Sequence, residues 1–467
     1  MLDKLENTLD FVKRHQGHTR TQWLMVIIAS STLLSYGLEV GWVSPMTKIL
    51  QSDRSPTGYA MSDTEITWVG SIMAFVAVPG VSLYAWVADR YGRKVAVLAL
   101  AVPQLLAWII KLSATNLSML ILSRVVAGLP SGGCFNVLPM YIREICQDNI
   151  RGAAVSFCLM MQCIGIFAMY AMGSYLDYYT VIWIATCIPL TGVAAMVFAP
   201  ESPAFLVKRE KIEDASKTLA LLRGLDIDDI IIQNELNSMR KEELQFKSIP
   251  KLSFGDILKN RIWRRGFIAC MLIVTAQACN GTYAIVMYAW TILSSMGVAL
   301  NPDLQTLVVP TLMIVGSLIS IVSVEKFGRK LLGVVTYIVS ALGLTMVGGG
   351  LVAAAYGTSL PAWLPLLAVA AIVSAYSAGV TPAVYVVIAE IFTFQVRAKL
   401  VGCIVSYAWF VSSLQVFAFI PISNCLGLHN MFFIFAGINV FGAIATLTLL
   451  PETKGKSIEE IEELLRK

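Results

Sequence analysis

Apolar runs long enough to cross a bilayer alternate with short polar connections along almost the whole chain. No Asp, Glu, Lys or Arg occurs from Leu331 to Ala389, from Leu400 to Pro451, or from Gly266 to Pro302. Since about 20 apolar residues span the hydrocarbon core, each of the first two runs holds two spans and a tight turn. The pattern predicts twelve helices, near residues 22–45, 66–86, 95–112, 118–141, 153–175, 179–199, 265–293, 304–324, 331–355, 363–390, 399–422 and 430–450. The expected organisation is an N-terminal segment (1–21), a six-helix half (22–200), a polar linker (201–264), a second six-helix half (265–450) and a tail (451–467). Helical spacing with mixed charge at 202–223 and 230–244 predicts short amphipathic linker helices lying under the membrane domain.

Composition agrees with an all-α membrane protein. The chain is 57% hydrophobic and 14% charged, against roughly 25% charged in a soluble domain, and its mean hydropathy is +0.71. A net charge of +5 is too small to point to nucleic acid, but its placement is informative. Alternate connections are basic, whereas the opposite ones hold only Lys48, Arg54 and Lys111, so the basic side and both termini are expected in the cytoplasm. A multi-pass protein of the plasma membrane is the corresponding expectation. Nine cysteines lie mostly in apolar runs without CxxC spacing, which reads as packing rather than disulfides, and neither a metal nor a cofactor is expected. There is no HExxH and no nucleophile beside a base, and His15, His18 and His429 lie outside the spans or at a border, so no enzyme is expected.

The two halves echo each other. Asp89-Arg90-Tyr91-Gly92-Arg93-Lys94 returns as Glu325-Lys326-Phe327-Gly328-Arg329-Lys330, Glu144 with Arg151-Gly152 returns as Glu390 with Arg397-Ala398, and Pro200-Glu201-Ser202 returns as Pro451-Glu452-Thr453. Acids and bases repeated at helix ends suggest a gate in which Asp89, Arg93, Glu144, Arg151 and Glu201 have counterparts in Glu325, Arg329, Glu390, Arg397 and Glu452. The plainer reading is that they mark the membrane border. In span seven, Gln277, Asn280, Gly281, Ala284 and Tyr288 share one helical face, and Gln162 is a lone amide in span five. Such amides either hold a solute in a cleft between the halves or fasten neighbouring helices.

These motifs, with Arg124 and Gly128 in span four, Pro139-Met140-Tyr141 and Pro200-Glu201-Ser202-Pro203, resemble the sugar porter family of the major facilitator superfamily, in particular its insect trehalose-transporter-like members. The resemblance implies alternating-access transport of a hexose, trehalose or related polyol, and a gate that favours the outward-open state. It implies that Gln162 and Gln277 bind sugar hydroxyls and that Trp409 lines the cavity. Asn280, Tyr283 and Tyr385 join the expected binding set, Tyr283 standing where the family has Asn and Tyr385 where it has Trp. Ala278, Met313 and Ala408 replace family amides, and Ala85, Gln147 and Ala204 depart from its cytoplasmic motifs. Lost hydrogen bonds at a desolvated site leave a solute sensor with little flux as the alternative. Proton-driven members carry an acid at the Glu39 position facing the span-four arginine. Glu39 and Arg124 are thus either a proton-coupling pair or a static ion pair.

Overall fold

The computed structural model describes residues 18–248, 253–295, 307–357, 361, 363–454, 456 and 458–466. Eleven helices among them are long and apolar enough to cross a membrane: Arg20–Leu50 (span one), Asp63–Tyr91 (two), Arg93–Leu112 (three), Leu117–Ile145 (four), Asp148–Tyr175 (five), Tyr178–Val197 (six), Arg261–Ala289 (seven), Arg329–Ala355 (nine), Trp363–Ile388 (ten), Gln395–Leu426 (eleven) and Leu428–Leu449 (twelve). Span eight is the helix Val308–Phe327, whose shorter apolar stretch is Val308–Ser320. Its expected start at 304–306 lies outside the described residues, as does the segment 1–17. The result is the duplicated all-helical membrane fold the hydropathy pattern predicts.

Side chains set the helix ends. Ser62 and Glu65 form a capping box at the start of span two, while the Asn116 and Asp177 carboxamide and carboxylate accept the amides of Met119 and Thr180 at 2.9 Å and 3.1 Å to open spans four and six. Spans two and three, and likewise eight and nine, turn at Gly92 (φ +114°) and Gly328 (φ +82°). Both conformations belong to glycine. A Cβ at either would also run into a carboxylate, that of Glu201 at Gly92 and that of Glu452 at Gly328.

Within the first half, small residues let backbones approach. A Cβ on Gly37 would strike the backbone of Gln162 and Gly165, and one on Gly128 or Gly132 would strike the backbone of Met73 or Ala77. Helices without a hydrophobic force between them in lipid associate through such close contact. The linker helices Pro203–Lys208, Ile212–Arg223 and Ile230–Ser248 dock beneath this half. Buried Arg223 donates to the Ile145 carbonyl at 2.8 Å and pairs with Glu235 at 2.5 Å, and Gln22 donates to the Leu222 carbonyl at 3.1 Å. The tail helix Ile458–Arg466 packs Ile461 and Leu465 under the second half, where Trp263 donates to Glu462 at 3.1 Å.

Candidate functional site

The halves meet at the end opposite the duplicated basic motifs. Phe417 of span eleven lies 5.0 Å from the Trp68 ring and 6.0 Å from the Phe75 ring of span two. Tyr170 of span five donates its hydroxyl to the Val286 carbonyl of span seven, and Tyr288 abuts Gly70 while stacking on Phe419 at 5.2 Å. Deeper in, the Tyr36 ring of span one meets Phe135 of span four at 5.4 Å and Trp409 of span eleven at 6.3 Å. Tyr283 of span seven lies beside Tyr36.

Several expected binding residues converge beside this cluster. Gln277 is buried and donates to the Tyr376 hydroxyl at 3.0 Å. Tyr376 stands on a π-helical turn, Tyr376–Val380, that interrupts span ten, a local widening that often accompanies functional sites. Tyr283 and Tyr376 are half-buried, and Tyr385 keeps 38% of its surface exposed. Trp409 and Gln162 are also half-buried, the latter with its backbone pressed against Gly37. Sequence reasoning overlooked Tyr36, Phe135 and Tyr376, because aromatic residues in apolar runs carry no signal of their own.

Asn280 is engaged differently. The expected continuous polar face of span seven is broken: one helix ends at Ala278, the next starts at Thr282, and Gly281 between them has φ +96°. Backbone groups freed inside a bilayer need partners from protein. Asn280 donates to the Asn439 side chain and accepts from Thr282, while Asn439 donates to the Asn280 carbonyl at 3.0 Å and to that of Phe435 at 2.8 Å. Gln415, with its amide oriented by its surroundings, donates to the Ala278 carbonyl at 2.9 Å and accepts the Gly281 amide at 3.1 Å. Asn280 thus splices span seven to span twelve, and its polar atoms are committed to protein partners.

Glu39 and Arg124 do meet, in full burial, with Arg124 Nη1 at 3.0 Å from Glu39 Oε2 and 2.7 Å from the Glu39 carbonyl. A third charge completes the site. Lys111, expected in a polar connection, is fully buried and donates to the same Oε2. Its ammonium lies 3.8 Å from the Trp108 ring centroid and 5.0 Å from that of Trp42. Aromatic faces are among the few apolar surfaces that stabilise a buried cation.

At the basic end the duplicated charges form two matching networks, each inside one half. Arg93 holds Glu144 through Nε at 3.0 Å and Asp89 through Nη1 at 3.3 Å. Arg329 holds Glu390 at 2.9 Å. Ser202 donates to Glu144 as Thr453 does to Glu390. Glu201 accepts the amides of Arg93 and Lys94 at 2.8 Å and 3.0 Å, and Glu452 accepts those of Arg329 and Lys330 at 3.1 Å each. Each acid therefore sits on the positive N-terminus of a span. Burial would raise the Glu452 carboxyl, but the amides of Lys454, Arg329, Lys330 and Thr453 outweigh it and hold it below its ordinary value. Arg151 pairs instead with Asp148 at 2.6 Å, and Arg397 donates to the Phe392 carbonyl at 3.1 Å. The side chain of Glu325 lies outside the described residues.

A family model described as "Sugar (and other) transporter" matches residues 25–465. A facilitated trehalose transporter homologue, Tret1-2, of Drosophila simulans is 26% identical over 441 residues, 93% of this chain and 90% of the relative. The facilitated trehalose transporter Tret1 of Anopheles gambiae is 26% identical over 94% of this chain, which spans 56% of that relative's length. Among solved structures, the inward-open xylose transporter XylE of E. coli superposes with a TM-score of 0.78 at 19% identity, over 95% of this chain and 99% of that one. XylE as a proton:xylose symporter of the major facilitator superfamily, bound to 6-bromo-6-deoxy-D-glucose, gives a TM-score of 0.75 at 19% identity, over 96% and 100%. All are named transporters, in agreement with the reading that the chain is no enzyme. With the duplicated twelve-helix fold in place and the match running from residue 25 to residue 465, the chain belongs to the sugar (and other) transporter family.

Proposed function

We propose that this protein carries a neutral, polyhydroxylated solute of the sugar class across the plasma membrane by alternating access, with both termini in the cytoplasm. The reading is carried by the convergence of Gln277, Tyr376, Tyr283, Tyr36 and Trp409 from both halves on one buried to half-buried polar and aromatic cluster. Amide and phenol groups replace the water around sugar hydroxyls, and aromatic rings cover the apolar faces of a sugar ring. Gln162 and Tyr385 flank this set, and Asn280 contributes by holding the span-seven break in shape.

The relatives named as facilitated trehalose transporters and the structure named as a proton:xylose symporter favour a sugar. Closure at the end opposite the basic motifs supports an access path from the basic side. Asp89, Arg93, Glu144 and Glu201, with Arg329, Glu390 and Glu452, brace each half so that it moves as one body, while Arg151 and Arg397 pin the starts of spans five and eleven. The test is uptake and counterflow of labelled trehalose, hexoses and polyols in proteoliposomes. Saturable exchange of one member supports the reading, whereas binding without flux favours a sensor.

A further inference from the structure

The Glu39 site holds three charges in full burial, on spans one, three and four: Glu39, Lys111 and Arg124. Both cations occupy one carboxylate oxygen, Oε2. Their supports differ. Arg124 also rests on two backbone carbonyls, of Glu39 at 2.7 Å and Val69 at 3.0 Å, whereas the hydrogen bond of Lys111 among the described residues goes to Glu39 alone. The other titratable groups around the site are phenols: Tyr283 and Tyr288 of span seven face Arg124, and Tyr178 of span six lies 6.4 Å from Trp42. Glu39 is therefore the counter-charge for two cations.

From this arrangement we infer that Lys111 occupies the place of a transported proton: it is a tethered cation that keeps Glu39 ionised throughout the cycle and makes transport independent of the proton gradient. The inference rests on the transport reading above. Protonating Glu39 would strip both cations of their counter-charge inside the membrane, which desolvation opposes strongly. Arg124 alone could tolerate a neutral Glu39 by leaning on its two carbonyls, so Lys111 is the group that demands the ionised acid. Spans one, three and four belong to one half, and rigid-body rocking of that half leaves the triad intact. A proton driving force through Glu39 acts only if the carboxylate can load and unload, which the tethered Lys111 ammonium opposes.

The test compares the parent with Lys111→Met in proteoliposomes under an inward proton gradient. The parent should equilibrate the labelled sugar without accumulating it, while Lys111→Met should accumulate it, approaching about tenfold per unit of pH gradient for one proton per solute. Accumulation by the parent that Lys111→Met abolishes would make Lys111 itself the proton carrier and overturn the proposal. So would a Lys111→Met protein that exchanges sugar but never responds to the gradient. A readout free of any solute separates this from failure of the transport reading, namely the protonated-carboxyl infrared band followed from neutral to acidic pH. The Glu39-dependent part of that band, read as the difference between each protein and its Glu39→Gln counterpart, should be absent in the parent and present in Lys111→Met; its presence in the parent would refute the proposal.

Discussion

Asn439 donates to the Asn280 carbonyl at 3.0 Å across the break in span seven, and Asn280 returns a hydrogen bond to the Asn439 side chain. Both side chains are buried. Asn439→Ala leaves the Asn280 carbonyl and amide without partners where no water replaces them, a loss of about 1 to 3 kcal/mol. The expected outcome is a lower melting temperature in detergent. A variant as stable as the parent would mean that the splice does not hold the break.

The glycine turns give a paired prediction. Gly92→Ala and Gly328→Ala each force a side chain into a backbone region open to glycine and against a carboxylate, costing about 1 to 3 kcal/mol each. Because the turns are equivalent, the two losses should be alike and additive in the double variant, as thermal melts can measure.

Much of this architecture is legible in the sequence because the bilayer imposes it. Charge-free runs fix the spans, and the repeated Asp89-to-Lys94 and Glu325-to-Lys330 stretches fix the duplication. The pairings of Arg93 with Glu144 and of Arg329 with Glu390 are within reach of reasoning, yet not their placement inside each half, since helix-end spacing does not say which neighbour a side chain faces. Lys111 is hidden for a physical reason. It closes an apolar run as a border lysine does, and only the packing of span three on span one, 72 residues away in the chain, buries it against Glu39. The break in span seven is announced only by Asn280-Gly281, a turn-forming pair in an apolar run.

A pH dependence follows from Glu452. Its folded-state value is depressed below the ordinary 4.5, so its contribution to stability is present above that value and is lost as pH falls through the lower folded one. Melting curves of the parent should fall across this acidic window, and Glu452→Gln should show a shallower fall there with lower stability at neutral pH.

The aromatic closure is testable by cross-linking. Trp68 and Phe417 lie across the boundary between the halves. A Trp68→Cys/Phe417→Cys pair joined by a short reducible cross-linker should stop solute exchange, and reductant should restore it. Exchange at the parent rate while cross-linked would show that this end need not open.

Passage of a sugar-class solute through the site where Gln277 meets Tyr376 is read by counterflow of labelled trehalose and hexoses in proteoliposomes of the parent and of Gln277→Ala. The parent should show saturable counterflow of at least one sugar, and Gln277→Ala a KM raised by about fivefold or more for the loss of about 1 kcal/mol of hydrogen bonding. A folded parent that exchanges no sugar, or a Gln277→Ala protein with unchanged KM, would contradict passage through this site.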